Sequence, residues 1–266
     1  MTSLTRRHRG AVLAAVVLGV VGVLCAVLLP TFAAPGGLVP GALRSERAHD
    51  DTGLRVAGDG SLPETAPKLG APNEPLSSAE RGYAYHLARQ AMPADARDIL
   101  GEPGGELLTA DLPALAERTP ARLVTVAVYD YATDRLHQLL VDLTHHTIVR
   151  DESTQGLQLP PTQAETATAL ALALEAKPAP AFVAEYRKLS NTPLLVPDQV
   201  SAIAGAWRPA AARPTSPQTQ VCGRHRCVQL MVALPTGQYL DTTDIVVDLS
   251  TRTVLRTELE APSHAQ

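Results

Sequence analysis

One pattern occurs twice in this chain, and the repetition limits the possible folds more than any other feature. Gln138 to Arg150 reads QLLVDLTHHTIVR and Asp244 to Arg256 reads DIVVDLSTRTVLR, with Asp142 and Asp248 106 positions apart. In each copy a triplet, Val141-Asp142-Leu143 or Val247-Asp248-Leu249, ends an apolar strand-like run and opens a turn. A second matched pair lies upstream: PLSSAE (Pro75 to Glu80) and PPTQAE (Pro160 to Glu165), each opening an Ala/Leu-rich stretch. A helix followed by strands is therefore specified twice. A sheet with one half-buried face needs a helix to cover it, and each copy supplies one, so the expected class is α+β.

The local patterns agree. Ser77 with Glu80, and Thr162 with Glu165, have the three-residue spacing of a capping box. Tyr83, Leu87 and Ala91 then make a helical face that Pro93 limits. Leu123, Thr125, Ala127 and Tyr129 alternate with Val124, Val126, Val128 and Asp130, which is strand periodicity with one stripe more apolar. LHQLLVDL and TIVRDE continue the sheet, with turns at Thr133-Asp134 and Thr144 to His146. The second copy predicts a helix over ETATALALALEA and a short one over AFVAEYRKLS. Strands are then expected around Val221, over CVQLMVALP, between Tyr239 and Leu249, and over TVLRTEL. The two units are placed at 75–158 and 159–260, followed by a tail at 261–266.

Ahead of them, a basic stretch at 1–9 with Arg6, Arg7 and Arg9 precedes an uncharged apolar run ending at Pro30. Twenty apolar residues match a hydrocarbon core of roughly 30 Å, and the flanking arginines predict an inside N-terminus. The segment 10–30 is read either as a hydrophobic transmembrane anchor helix or as a signal cut near Ala33. Both readings place the remainder outside the cytoplasm, single-pass on the cell membrane or secreted. Cys25 within it is an apolar filler, and residues 31–74, rich in Pro and Gly, read as a flexible linker. The net charge is −4, and setting aside the three N-terminal arginines leaves −7 on the rest. An acidic body argues against nucleic acid. Aromatics at 3% leave few platforms for sugars or bases.

The order of these phrases resembles the small cystatin-like domains that precede the catalytic domain in copper amine oxidases. In that family a helix introduced by a PLT-E-type phrase leads to a sheet ending in a VDL phrase, matched here by VDLTHHTIV and VDLSTRTVL. Tyr186 to Trp207 is similar to the segment leading to a tryptophan in the family's second small domain. The resemblance covers about residues 75–260 and implies two tandem cystatin-like units. The family's oxidase chemistry lies in a large C-terminal domain, whose N-Y-[DE] phrase has no counterpart in this sequence. The resemblance therefore implies fold without oxidase activity.

Several residues carry candidate chemistry. Cys222 and Cys227 enclose Gly-Arg-His-Arg; in an exported chain they are expected to form a disulfide, with a redox pair or a metal pair with His225 as the alternatives. His145 and His146 occupy a turn tip, where neighbouring side chains diverge. Asp142 and Asp248 are expected to cap their own turns. Trp207 is a core or interface anchor. Serine-hydrolase, zincin and phosphate-loop motifs do not occur in the sequence. The expected function is a non-catalytic binding or scaffolding protein with a protein partner and no cofactor. The alternatives are a protease inhibitor of cystatin-like or PepSY-like type, and an accessory fragment acting with a separate oxidase chain.

Overall fold

Val124, Val126 and Val128 on one strand and Leu139 and Val141 on the next pack with Tyr83, Ala84 and Ala88 of one helix, and this contact organises the first half of the molecule. The computed structural model describes residues 63–209 and 216–257, which lie within one unit, Arg47–Gln266. The basic N-terminus, the hydrophobic segment 10–30 and the tail 261–266 lie outside the described residues. Among the described residues no helix is long and apolar enough to cross a membrane.

The first half comprises helix α1 (Ser78–Ala91) and strands β1 (Glu106–Asp111), β2 (Leu123–Asp130), β3 (Arg135–Asp142) and β4 (Thr147–Gln155). They form an antiparallel sheet in the order β1-β2-β3-β4. Ser77 caps α1 with Glu80 in the expected reciprocal box. The helix ends at Met92, held extended by the proline that follows it. β1 was not expected. Its pairing with β2 slips between Leu107 and Thr109, so Leu107 and Leu108 are both buried and the alternation that marks a strand is lost.

The second half comprises helices α2 (Gln163–Glu175) and α3 (Ala181–Ser190) and strands β5 (Ser201–Ala206), β6 (Cys227–Ala233), β7 (Tyr239–Leu240), β8 (Ile245–Asp248) and β9 (Thr253–Arg256). The sheet order is β5-β6-β8-β9, with β7 paired to β6. Val228, Leu230, Val232, Ile245 and Val247 form its core with Ala169 and Leu170 of α2 and Phe182 and Tyr186 of α3. Each fully buried Val, Leu, Ile or Phe among them contributes roughly 1.5–3 kcal/mol. The molecule is thus α+β, with two antiparallel sheets and three α-helices among the described residues.

Two expectations need correction. The stretch around Val221 is a 3₁₀ helix, Pro217–Val221, whose start is capped by Ser216. The strand beside β6 is β5 instead. Its Ala/Gly-rich sequence has little intrinsic strand preference and is held by six paired positions along β6. The linker also ends early. Leu69 packs against the first core, and the Gly70 N–H donates to Glu80 Oε1 at 3.0 Å.

Candidate functional site

Each half is locked by a buried ion pair at its helix N-terminus. In the first, Arg122 Nε donates to Glu80 Oε1 at 2.7 Å and both side chains are 2% exposed. The same guanidinium donates to the carbonyls of Ala71, Glu74 and Pro75. In the second, Arg226 Nε donates to Glu165 Oε1 and Nη2 to Oε2, with both side chains fully buried. Arg226 also donates to the carbonyls of Leu159 and Pro160 and to Gln158 Oε1. Each arginine stands immediately before a strand (β2 or β6) and holds the chain that leads into the helix. Burial pushes the Glu80 carboxyl up, but hydrogen bonds from Arg122, Ser77 and Gly70 outweigh it and hold the group at about 2.

The VDL triplets end the neighbouring strands β3 and β8 at the same edge of each sheet, with Asp142 opposite Leu123 and Asp248 opposite Cys227. Val141, Leu143, Val247 and Leu249 point into the helix-facing cores, so the aspartate between them faces the other way. Asp142 Oδ1 accepts from the N–H groups of Thr144 (2.8 Å) and His145 (3.1 Å), and its Oδ2 lies 2.7 Å from His145 Nδ1. Asp248 Oδ1 accepts from Thr251 N–H at 3.2 Å, and its Oδ2 lies 2.8 Å from His225 Nδ1. The turns also tie back to the arginines. Arg122 N–H donates to Thr144 Oγ1 and Arg226 N–H to Ser250 Oγ, each at 2.9 Å. His146 and Arg252 take the same left-handed position, φ 57° and 55°. His145 pairs with Asp142, while His146 lies edge-on to the Tyr83 ring at 5.6 Å.

The two sheets meet at a polar junction built largely from the second lock. The guanidinium of Arg226 lies over the Tyr129 ring, 5.1 Å from its centroid. Tyr131 OH donates to Glu165, and Thr162 Oγ1 donates to Glu106 Oε1 at 3.0 Å. Tyr129 OH (3.2 Å) and Ser250 Oγ both donate to Asp134 Oδ1. Arg252 Nη1 reaches Ile99 O at 2.9 Å. Burial and the neighbouring charge of Glu165 push the Glu106 carboxyl up to about 7. They also push the Tyr131 phenol above its usual range. This junction covers part of the second face of the first sheet, so Leu108, Ala127, Tyr129 and Leu136 are buried with Tyr131 and Leu159. Both stripes of β2 are accordingly inside, where the sequence suggested one. Beside the junction is a cleft of about 310 Å³, walled by residues 97–101 and the 249–252 turn.

A second concave surface lies between α2 and β5. It measures about 370 Å³, and its floor includes Leu170, Val200, Ala202 and Ala204. β5 is an edge strand with no charged residue and no proline. Ile203 is 57% exposed, and its cross-strand partner Met231 is 47% exposed. Leu195 and Val196 are exposed nearby in sequence. By contrast β4 carries Arg150, Asp151 and Glu152 along its length, the usual protection of a free edge.

Cys222 and Cys227 form a disulfide. Trp207, half-buried, packs against it together with Val221 and Leu255, and its N–H donates to Cys227 O at 2.9 Å. The tryptophan thus belongs to a satellite cluster on the sheet face away from the helices. The buried Arg–Glu locks and the Glu106 junction were not read from the sequence. Their one available signal is an arginine directly preceding the apolar strand in both copies, Arg122-Leu123 and Arg226-Cys227.

No family model matches this chain. No curated protein matches it either. Among solved structures it is similar to a copper-containing benzylamine oxidase from Hansenula polymorpha, with a TM-score of 0.41 and 16% identity over 71% of this chain. That match spans 30% of the oxidase chain. A likeness at that level decides no point of chemistry, and the functional reading rests on the geometry of the chain itself.

Proposed function

We propose that this chain is a non-catalytic binding module. It works outside the cytoplasm on a membrane anchor or after release, and takes a protein partner by strand addition along β5. The partner supplies an extended, largely apolar segment. Its backbone pairs with the free edge, one row of its side chains enters the groove over Ala202 and Ala204, and the other row lies on Ile203 and Met231. The observation that carries this reading is the uncharged edge of β5, flanked by exposed apolar side chains on one face and a groove on the other. Edges of this kind are ordinarily blunted in proteins that do not use them.

Two further points support the reading. The titratable groups at the junction are engaged by one another: Glu165 by Arg226, Tyr131 and Thr162, and Asp134 by Tyr129 and Ser250. This suits a structural joint better than a reacting centre. The two halves also share one plan, with a capping box, an arginine lock and an aspartate-capped turn in each, as a duplicated cystatin-like unit would.

The test compares the full chain with its Ile203→Lys variant as bait for envelope and secreted proteins. It is followed by amide hydrogen exchange on the complex. The expected result is a saturable partner that the variant loses and that protects the β5 amides. A partner that binds both forms equally, or none at all, refutes strand addition. If the partner is a protease whose activity falls on binding, the module is an inhibitor.

A further inference from the structure

The cleft between the two sheets holds two arginines that have no acidic partner. Arg97 and Arg252 line the same concavity. The ion pairs of the described residues involve Arg122, Arg150, Arg226, Arg256 and three histidines, and neither cleft arginine. Arg97 Nη1 donates to the carbonyls of Ala94 and Ala96, and Arg252 Nη1 to that of Ile99. A guanidinium has five N–H groups in a rigid fork, so in each the donors not used in these bonds remain available to a ligand. In a body of net charge −7, two guanidinium groups that form no ion pair line one concavity.

The cleft is also held in shape from both sides. Arg97 N–H donates to Asp130 Oδ1, and Tyr131 N–H donates to Arg97 O, each at 2.9 Å, which ties the wall to the first sheet. Arg252 ties the same wall to the second. Asp98 uses Oδ1 to accept from the N–H groups of Leu100 and Glu102, so it shapes the loop and contributes the one negative charge in the lining. Ala132 and the exposed Leu100 add apolar surface beside the cations.

We propose that this cleft binds a small organic anion, a carboxylate or phosphate carried on an apolar body, between Arg97 and Arg252. Its volume of about 310 Å³ suits a ligand of that size, and sites at junctions between structural units are common locations for one. The anionic group takes charge-assisted hydrogen bonds from the free faces of both guanidinium groups, and the apolar body lies on Leu100 and Ala132. This inference does not depend on the role of β5.

The test is calorimetric titration of the full chain with benzoate, phenyl phosphate and inorganic phosphate at matched ionic strength, with benzyl alcohol as the uncharged control. Saturable binding of an anion and none of the alcohol is expected. Preference between benzoate and phenyl phosphate identifies the headgroup. Arg97→Gln and Arg252→Lys should each weaken binding about tenfold or more, since one charge-assisted or bidentate contact is lost. Lysine at 252 keeps a donor for Ile99 O, so its effect does not depend on unfastening the loop. Asp98→Asn should tighten binding by removing the opposing charge while keeping its turn-capping oxygen, and Ile203→Lys should leave it unchanged. Absence of saturable binding overturns the proposal. So does binding that ignores both arginine substitutions, which would mean an adventitious ion only, and so does weaker binding by Asp98→Asn.

Discussion

Replacing Arg226 by methionine tests the second lock directly. The substitution removes the positive half of an ion pair that is fully buried on both sides. Glu165 then keeps Tyr131 OH and the Thr162 N–H as partners, while Leu159 O, Pro160 O and Gln158 Oε1 lose the guanidinium. Leaving one charge of a buried pair uncompensated costs about 3–5 kcal/mol. The lost stacking on Tyr129 adds about 0.5–2 kcal/mol, partly offset by the methionine packing into the same space. For a unit of this size each kcal/mol lowers the midpoint by about 2–4 °C, so a fall of roughly 6–20 °C is expected. The assay is thermal and urea unfolding of the full chain near neutral pH, with Arg150→Met as the exposed control. The Arg150 side chain is 45% exposed in its pair with Glu117, and its loss should leave the midpoint nearly unchanged. Adding Glu165→Gln to Arg226→Met removes the stranded charge and should restore part of the loss. An Arg226→Met protein as stable as the control would refute the reasoning, as would a double variant whose loss is the sum of the two single ones.

Three further outcomes are expected. The Glu106 carboxyl is raised from 4.5 to about 7, so its contribution is fully present below about pH 4.5 and is lost as pH rises through about 7. The effect is at most about 3 kcal/mol, and Glu106→Gln should flatten the stability–pH curve across that window. Glu80 has the opposite sign: it is lowered to about 2, so its contribution is present above about pH 4.5 and is lost as pH falls toward 2, and Glu80→Gln should remove that acid-side loss. Cys222→Ala with Cys227→Ala opens a short loop and should cost about 2 kcal/mol by denaturant unfolding in the chain-entropy model. It should also loosen Trp207, visible as a shift in the chain's sole tryptophan emission.

The features legible in the sequence were those written locally. The capping boxes at Ser77 and Thr162, the turns after Asp142 and Asp248, and the strands with clean alternation all depend on contacts within a few residues. β1 and β5 were missed because pairing at long range determines them: β1 has a slipped register and β5 an Ala/Gly composition. The junction was missed for a different reason. Glu106, Tyr131, Glu165 and Arg226 are spread over 120 positions of sequence, and no spacing rule connects groups brought together only by the meeting of two sheets. Glu165 even read as an ordinary capping-box acid. Its second role appears only when Arg226 and Tyr131 arrive from elsewhere in the chain.

The two locks share chemistry but differ in what lies beyond the arginine. Arg122 holds its own entering segment, with acceptors at Ala71, Glu74 and Pro75. Arg226 does the same with Leu159 and Pro160 and also lies over Tyr129 of the other sheet. The second lock therefore serves as a joint, because the chain between β4 and α2 cannot shift without disturbing Glu165. This gives the cleft beside it a defined shape, with Arg97 fixed from the first sheet and Arg252 from the second. β5 pairs only with β6 and packs on α2, and the hydrogen bonds of the joint do not include it. Loosening the joint through Arg226 should thus disturb anion binding in the cleft before it disturbs pairing at the β5 edge. Substitutions at Ile203 should do the reverse. If both activities fell together with either substitution, the two surfaces would be parts of one site, and the separation argued from their contacts would be wrong.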